Sequence, residues 1–200
     1  MVNPGAAANA LRYDVTYTRN GQHMQLGFAI LANDDLHNLI RRLQLEIAEH
    51  WGPNPALKQT PHITLKQPFH AKALPPIEEY FDALVHLTAP ITIRMRGIDA
   101  FEDDKVIFLA VAPHPGLEAM RQRALRDLSE RFGVKPRAIE DERYRFHASL
   151  AWGLSDDHFA QAWAALKDRR AELKFVLETL GLFYYTGEDW IPYKRSPLVR

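Results

Sequence analysis

The sequence predicts one domain of mixed helices and strands, made of two halves that repeat the same order of elements about a pseudo-twofold axis. Three observations carry that expectation. Helix-like and strand-like hydrophobic periods alternate along the chain. The order strand, helix, strand, helix, strand occurs over about residues 23–101 and again over about 105–200. The middle strand of each half carries the same pattern, His-x-hydroxyl-Leu, as His62-Ile63-Thr64-Leu65 and His147-Ala148-Ser149-Leu150. If both are strands, each histidine shares one face with its hydroxyl while the residues between turn to the core.

The elements follow in order. Residues 1–22 read as a loose arm, with Tyr13, Val15 and Tyr17 as a weak edge strand. Met24-Gln-Leu-Gly-Phe-Ala-Ile-Leu31 is strand-like, and Gly27 and Ala29 leave shallow relief on one face, for a ligand or for a packed neighbour. Asn33 and Asp34 open a helix with Leu36, Leu39, Ile40, Leu43 and Ile47 at helical spacing, stopped by Gly52 and Pro53. The first motif strand follows, then a helix opened by Pro75 and Pro76 with Ile77, Tyr80, Phe81, Leu84 and Val85 inward. Ile91 to Phe101 reads as a strand, and Glu102-Asp103-Asp104 turns into another at Lys105 to Ala112.

The second half continues with a helix carrying Leu117, Met120, Ala124, Leu125, Leu128 and Phe132 to a stop at Gly133. After the second motif strand comes a helix capped by Ser155, burying Phe159, Ala162, Trp163 and Leu166. One long strand, Leu173 to Tyr185, turns at Thr186 to Asp189 and returns through Trp190 to Tyr193 as a closing hairpin.

Composition narrows the function classes. The 200 residues are 46% apolar and 25% charged, with 25 basic and 25 acidic side chains and no net charge. A protein that coats long nucleic acid through bulk electrostatics is disfavoured, whereas a local basic cleft for a short or terminal ligand is compatible. The absence of cysteine removes disulfides, thiol nucleophiles and cysteine–zinc sites. No 18-residue apolar run and no signal-like start occur, so no membrane partner is expected, and the chain reads as cytoplasmic. A monomer is the default expectation.

Paired imidazoles suit phosphate chemistry. One neutral histidine can take a proton from attacking water while a second, protonated, gives one to the departing oxygen, since the unperturbed pKa is about 6.5. Thr64 and Ser149 would hold the non-bridging oxygens. Lys66, Arg143 and Arg145 would add positive potential if they reach the cleft, the alternative being solvated surface positions. Phe28, Trp152, Tyr184, Trp190 and Tyr193 are candidates for holding a base, or else core aromatics. His86-Leu87-Thr88 also matches the pattern but falls at the end of a helix, where residues two apart diverge. The scheme needs neither metal nor cofactor, and two histidines without a matched carboxylate or cysteine set make a poor metal site.

Pro61-His62-Ile63-Thr64-Leu65 and His147-Ala148-Ser149-Leu150 resemble the paired motifs of the 2H phosphoesterase superfamily, nearest its 2'-5' RNA ligase or RNA 2',3'-cyclic phosphodiesterase branch. Phe146 stands where proline often precedes the histidine, and Ala148 is smaller than the usual branched residue. The resemblance implies an α+β fold of two lobes, with antiparallel sheets flanked by helices around a central cleft. It implies metal-independent hydrolysis of 2',3'-cyclic phosphate ends of RNA or nucleotides to 2'-phosphates, in some members with 2'-5' ligation. His62 would then protonate the leaving oxygen and His147 activate water, with Thr64 and Ser149 as phosphate holders. A non-catalytic module holding a nucleotide or RNA end in the same cleft is the alternative.

Overall fold

The structure, a computed structural model, describes residues 24–198; the expected arm over 1–22 lies outside them. Eight strands form two four-stranded antiparallel sheets. The first half runs β1 (Met24–Leu31), α1 (Asp34–Trp51), β2 (His62–Ala71), α2 (Pro75–His86) and β3 (Ile91–Phe101). The second runs β4 (Val106–Val111), α3 (Pro115–Phe132), β5 (His147–Ala151), α4 (Asp156–Leu166), β6 (Glu172–Leu177), β7 (Thr179–Tyr185) and β8 (Trp190–Pro197).

Strand order is β2-β1-β7-β8 in one sheet and β5-β4-β3-β6 in the other. Each sheet therefore draws on both halves of the chain: β3 lies beside β4, and β7 lies beside β1. Helices cross over as well. α1 packs against β5, and α3 against β2.

The expected single strand from Leu173 to Tyr185 is instead two, β6 and β7, in different sheets. The reason is visible in burial. Only alternate residues, Phe175 and Leu177, are buried in edge strand β6, whereas Leu180 to Phe183 are buried without interruption in the interior strand β7. A run of β-formers does not record the change of sheet at Glu178. A short 3₁₀ turn at Pro55–Lys58, capped by the Asn54 side chain, fills the loop before β2.

Local chemistry explains the other boundaries. Asn33 accepts from the Leu36 N–H at the start of α1, and Ser155 from the His158 N–H at the start of α4. α3 ends on Gly133 at φ 68, a left-handed position that glycine occupies without a Cβ clash. His86 and Thr88, the rejected third match, cap the end of α2, His86 Nδ1 bonding the Asp82 carbonyl and Thr88 Oγ1 that of Leu84.

Candidate active site

β2 and β5, the two motif strands, each form one edge of their sheet, and they lie against each other. Ile63 and Leu65 are fully buried, as are Leu150 and Ala148 to within 1%, while His62, Thr64, His147 and Ser149 are half-buried. All four line one cavity of about 240 Å³, together with Gly27, Gln59, Gln67, Phe183 and Trp190.

The two strands are bent alike. Opposite β1, Ala29 pairs with Thr64 and Phe28 with Lys66, so Leu65 is an extra residue; opposite β4, Phe108 pairs with Ser149 and Ile107 with Ala151, so Leu150 is extra. Each motif thus ends in a β-bulge one residue beyond its hydroxyl, a device that re-aims side chains and interrupts the ladder.

Each imidazole is held the same way. His62 Nδ1 lies 2.7 Å from the Thr60 carbonyl and His147 Nδ1 2.8 Å from that of Arg145. A carbonyl only accepts, so Nδ1 carries the proton in both rings, and Nε2 remains for a ligand. An aromatic ring supports each from within its own sheet: Phe183 at 5.0 Å from His62, and Phe108 and Phe101 each at 5.0 Å from His147. Gly181 permits the first contact, since a Cβ there would stand 2.9 Å from the Phe183 ring.

Burial pushes both histidines below the ordinary imidazole value, opposed by their carbonyl bonds; His147 is lowered further by the charge of His62. His147 therefore feels the charge of His62. Unliganded at neutral pH, the site presents two basic Nε2 atoms; an anion between them favours the charged form of one.

Side chains from outside the motifs fix these strands. Tyr144 donates its hydroxyl to the Thr64 carbonyl at 2.9 Å. Gln44 of α1 donates to the Ser149 carbonyl at 3.0 Å, and Asn54 to that of Leu150 at 2.8 Å. Sequence periodicity held a trace of Gln44, a polar residue that interrupts the apolar stripe of α1. Phe183 was hidden inside the strand that turned out to be two.

The expected accessory residues fare unevenly. Lys66 is neither solvated nor a free cation: its side chain is 0% exposed, and Nζ donates to Glu140 at 2.8 Å and to the Gln67 carbonyl. Lys66 borders the cavity with Thr64, as alternation expects, but beyond the bulge at Leu65 its side chain is committed to Glu140. Arg143 pairs with Asp141 and is 91% exposed, and Arg145 pairs with Asp99; neither lines the cavity.

Phe28 cannot hold a base, because its ring is 0% exposed among Phe69, Tyr80 and Phe81. Tyr193 turns toward Glu78 of α2, Tyr184 packs on the core, and Trp152 lies outside the lining. Of the five aromatics, Phe28 and Trp190 border the cavity, and of these two Trp190 is the half-buried one, its ring 3.9 Å from where a Gly27 Cβ would be and tilted against Tyr185 at 5.2 Å. Phe146 and Ala148, the departures from the family pattern, are both buried, Phe146 against Tyr144.

The family model of the 2'-5' RNA ligase superfamily matches residues 32–189. No curated protein sequence matches the chain. Among solved structures, Escherichia coli LigT in apo form superposes with a TM-score of 0.61 at 16% identity over 90% of this chain and 99% of that one. LigT complexed with 3'-AMP gives 0.57 at 15%, over 90% and 100%. TT0787 of Thermus thermophilus gives 0.61 at 18%, over 88% and 98%. At these identities the likeness is one of fold.

Proposed function

The chain belongs to the 2'-5' RNA ligase superfamily, and from that premise we propose that it hydrolyses 2',3'-cyclic phosphate ends of RNA or nucleotides to 2'-phosphates. One observation supports this reading above the others: two histidines with the same Nδ1 tether, each two residues before a hydroxyl, line a single hollow large enough for a phosphate and its ribose.

In the proposed reaction the cyclic phosphate lies between the rings, held by Thr64 and Ser149. Neutral His147 Nε2 takes a proton from water as its oxygen bonds to phosphorus, and protonated His62 Nε2 gives its proton to O3' as the P–O3' bond breaks. The product carries a 2'-phosphate and a free 3'-hydroxyl, and the two histidines have exchanged protonation states. The hydroxyls hold the oxygens whose negative charge persists through the transition state. With a 5'-hydroxyl in place of water, the same displacement at phosphorus would form a 2'-5' linkage as the P–O3' bond breaks; since water is the more abundant nucleophile, hydrolysis is the direction to test first.

The experiment is turnover of 2',3'-cyclic nucleotides and of oligoribonucleotides ending in 2',3'-cyclic phosphate, in EDTA. The expected result is a bell-shaped pH profile, and loss of about 10² to 10⁴ in kcat for His62→Ala and for His147→Ala with folding intact. Full activity in either variant overturns the reading. Tight binding with no turnover of any of these substrates would favour the binding module instead.

A further inference from the structure

A second hollow, of about 1000 Å³, opens beside the first. The two adjoin, since Pro68 and Trp190 line both. One wall is the far end of β2 with the start of α2; the other is the end of α3 and the chain that follows it. Phe69 and Ile77, nearly buried, make an apolar floor.

The rim is of one sign. Lys72, Arg131, Lys135 and Arg137 all line the hollow, all are exposed, and among the described residues no aspartate or glutamate lines it. That separation occurs in a chain with equal numbers of acidic and basic residues. Among the described residues none of these four enters an ion pair. Arg131 also lies over two rings, its guanidinium carbon 5.2 Å from the Tyr80 centroid and 5.3 Å from that of Phe132.

We propose that this hollow is a second binding site, for the sugar–phosphate backbone of a single RNA strand whose cyclic-phosphate end lies in the smaller cavity. The proposal rests on the cleft reading above and deepens it: the protein selects a strand over a free cyclic nucleotide. Three features favour a nucleic acid over an acidic peptide. The groove adjoins, at Pro68 and Trp190, a cavity lined by two histidines and two hydroxyls. Trp190 stands at the junction, where its half-buried ring offers a face on which the last base can stack. Unpaired cations along an apolar-floored channel suit a backbone that carries one charge per nucleotide and bases that prefer to leave water.

The test pairs a binding probe with turnover. A labelled decaribonucleotide ending in a 3'-phosphate, which cannot react, is titrated by fluorescence anisotropy at several salt concentrations against the wild type and against Lys72→Ala with Lys135→Ala. Neither lysine packs on a ring, so folding is expected to survive, and a matched thermal melt checks it. The expected result is that the double variant binds at least about tenfold more weakly and that its log–log salt slope is shallower by about 1.4, since each single-strand phosphate contact contributes about 0.7. Turnover of a cyclic mononucleotide stays within about twofold, while kcat/KM for a cyclic-ended decamer falls with the binding.

An unchanged slope, an equal fall in mononucleotide turnover, or equal binding of an acidic peptide of the same length overturns the proposal. Its failure is separable from failure of the cleft reading. Salt-dependent strand binding with no hydrolysis anywhere sinks the latter alone, and hydrolysis indifferent to strand length and to the lysines sinks the former alone.

Discussion

Glu140 offers the sharpest energetic test of how this site is assembled. It is 4% exposed and accepts three hydrogen bonds of 2.8 Å, from Lys66 Nζ, the Gln67 N–H and the Arg137 N–H. It thereby ties the segment before β5 to the motif strand β2. Glu140→Gln keeps the shape and one acceptor oxygen but leaves the Lys66 ammonium buried without a counter-charge. Removing one partner of a buried pair costs about 3–5 kcal/mol, far above the 0–1 kcal/mol of an exposed pair. For a chain of this size each kcal/mol moves Tm by about 2–4 °C, so Tm should fall by about 6–20 °C. Urea unfolding at pH 7, followed by tryptophan fluorescence, gives the free energy directly.

Two controls accompany it. Lys66→Met combined with Glu140→Gln removes both charges and should recover more than half of the loss. Burial already lowers the Lys66 pKa against the opposing pull of Glu140, and without that pull it drops further. A base whose folded pKa is depressed is destabilising below that value and ceases to be so above its unfolded pKa, so the deficit of the single variant should shrink as pH approaches about 10.4. A loss under about 1 kcal/mol, or a double variant no better than the single, would refute the assignment of this pair as a buried and coupled one.

Three more outcomes follow from the same geometry. Both active-site histidines have lowered pKa values, so the unfolded chain binds protons first, and stability should decline as pH falls below about 6.5; a variant with His62→Gln and His147→Gln should show a flatter urea midpoint from pH 7 to 5. Tyr144→Phe and Gln44→Leu each leave a motif carbonyl without its donor, costing about 1–3 kcal/mol, and each should lower kcat for a cyclic nucleotide more than it changes KM; an unchanged kcat would count against a positioning role. Gly181→Ala puts a methyl 2.9 Å from Phe183 and 3.1 Å from Leu31, so it should cost about 1–3 kcal/mol and shift the His62 ring proton resonances as Phe183 is displaced.

The sequence was most legible where a local rule decides the structure. Caps at Asn33 and Ser155, the proline start at Pro75 and the glycine stop at Gly133 are local events, and those helices begin and end as expected. The motif pairing was legible because period-two alternation survives within three residues. It failed one residue later, at the bulges, where register depends on the neighbouring strand rather than on the motif. That is why Lys66, though it borders the cavity as expected, is buried against Glu140. The cations followed the same logic: Arg143 and Arg145 were candidates because alternation puts them on the face of His147 and Ser149, but the strand starts only at His147, and Asp141 and Asp99 pair with them. The base-holding aromatics were least legible, because a strand aromatic reads alike whether it faces core or cleft. Phe28 and Trp190 differ in nothing a one-dimensional pattern can see.

The bulges also account for the residues that sequence reasoning passed over. An edge strand has one side of its backbone unpaired, and a bulge adds further unpaired groups; buried, each would cost free energy comparable to a lost hydrogen bond. β2 and β5 are both edges, both bulged, and both partly buried against each other, so their outward carbonyls need donors that no strand supplies. Those donors are Tyr144 for Thr64, Gln44 for Ser149 and Asn54 for Leu150, each reaching from the opposite half of the chain. Among the described residues no buried side-chain polar atom is left without a partner, so these donors too are fully committed. The same bonds that satisfy the edges therefore set the distance between the motifs. An arrangement selected only for stability could have covered two edges with a third strand; covering them with side chains keeps the strands apart and leaves between them a hollow with an imidazole on either side.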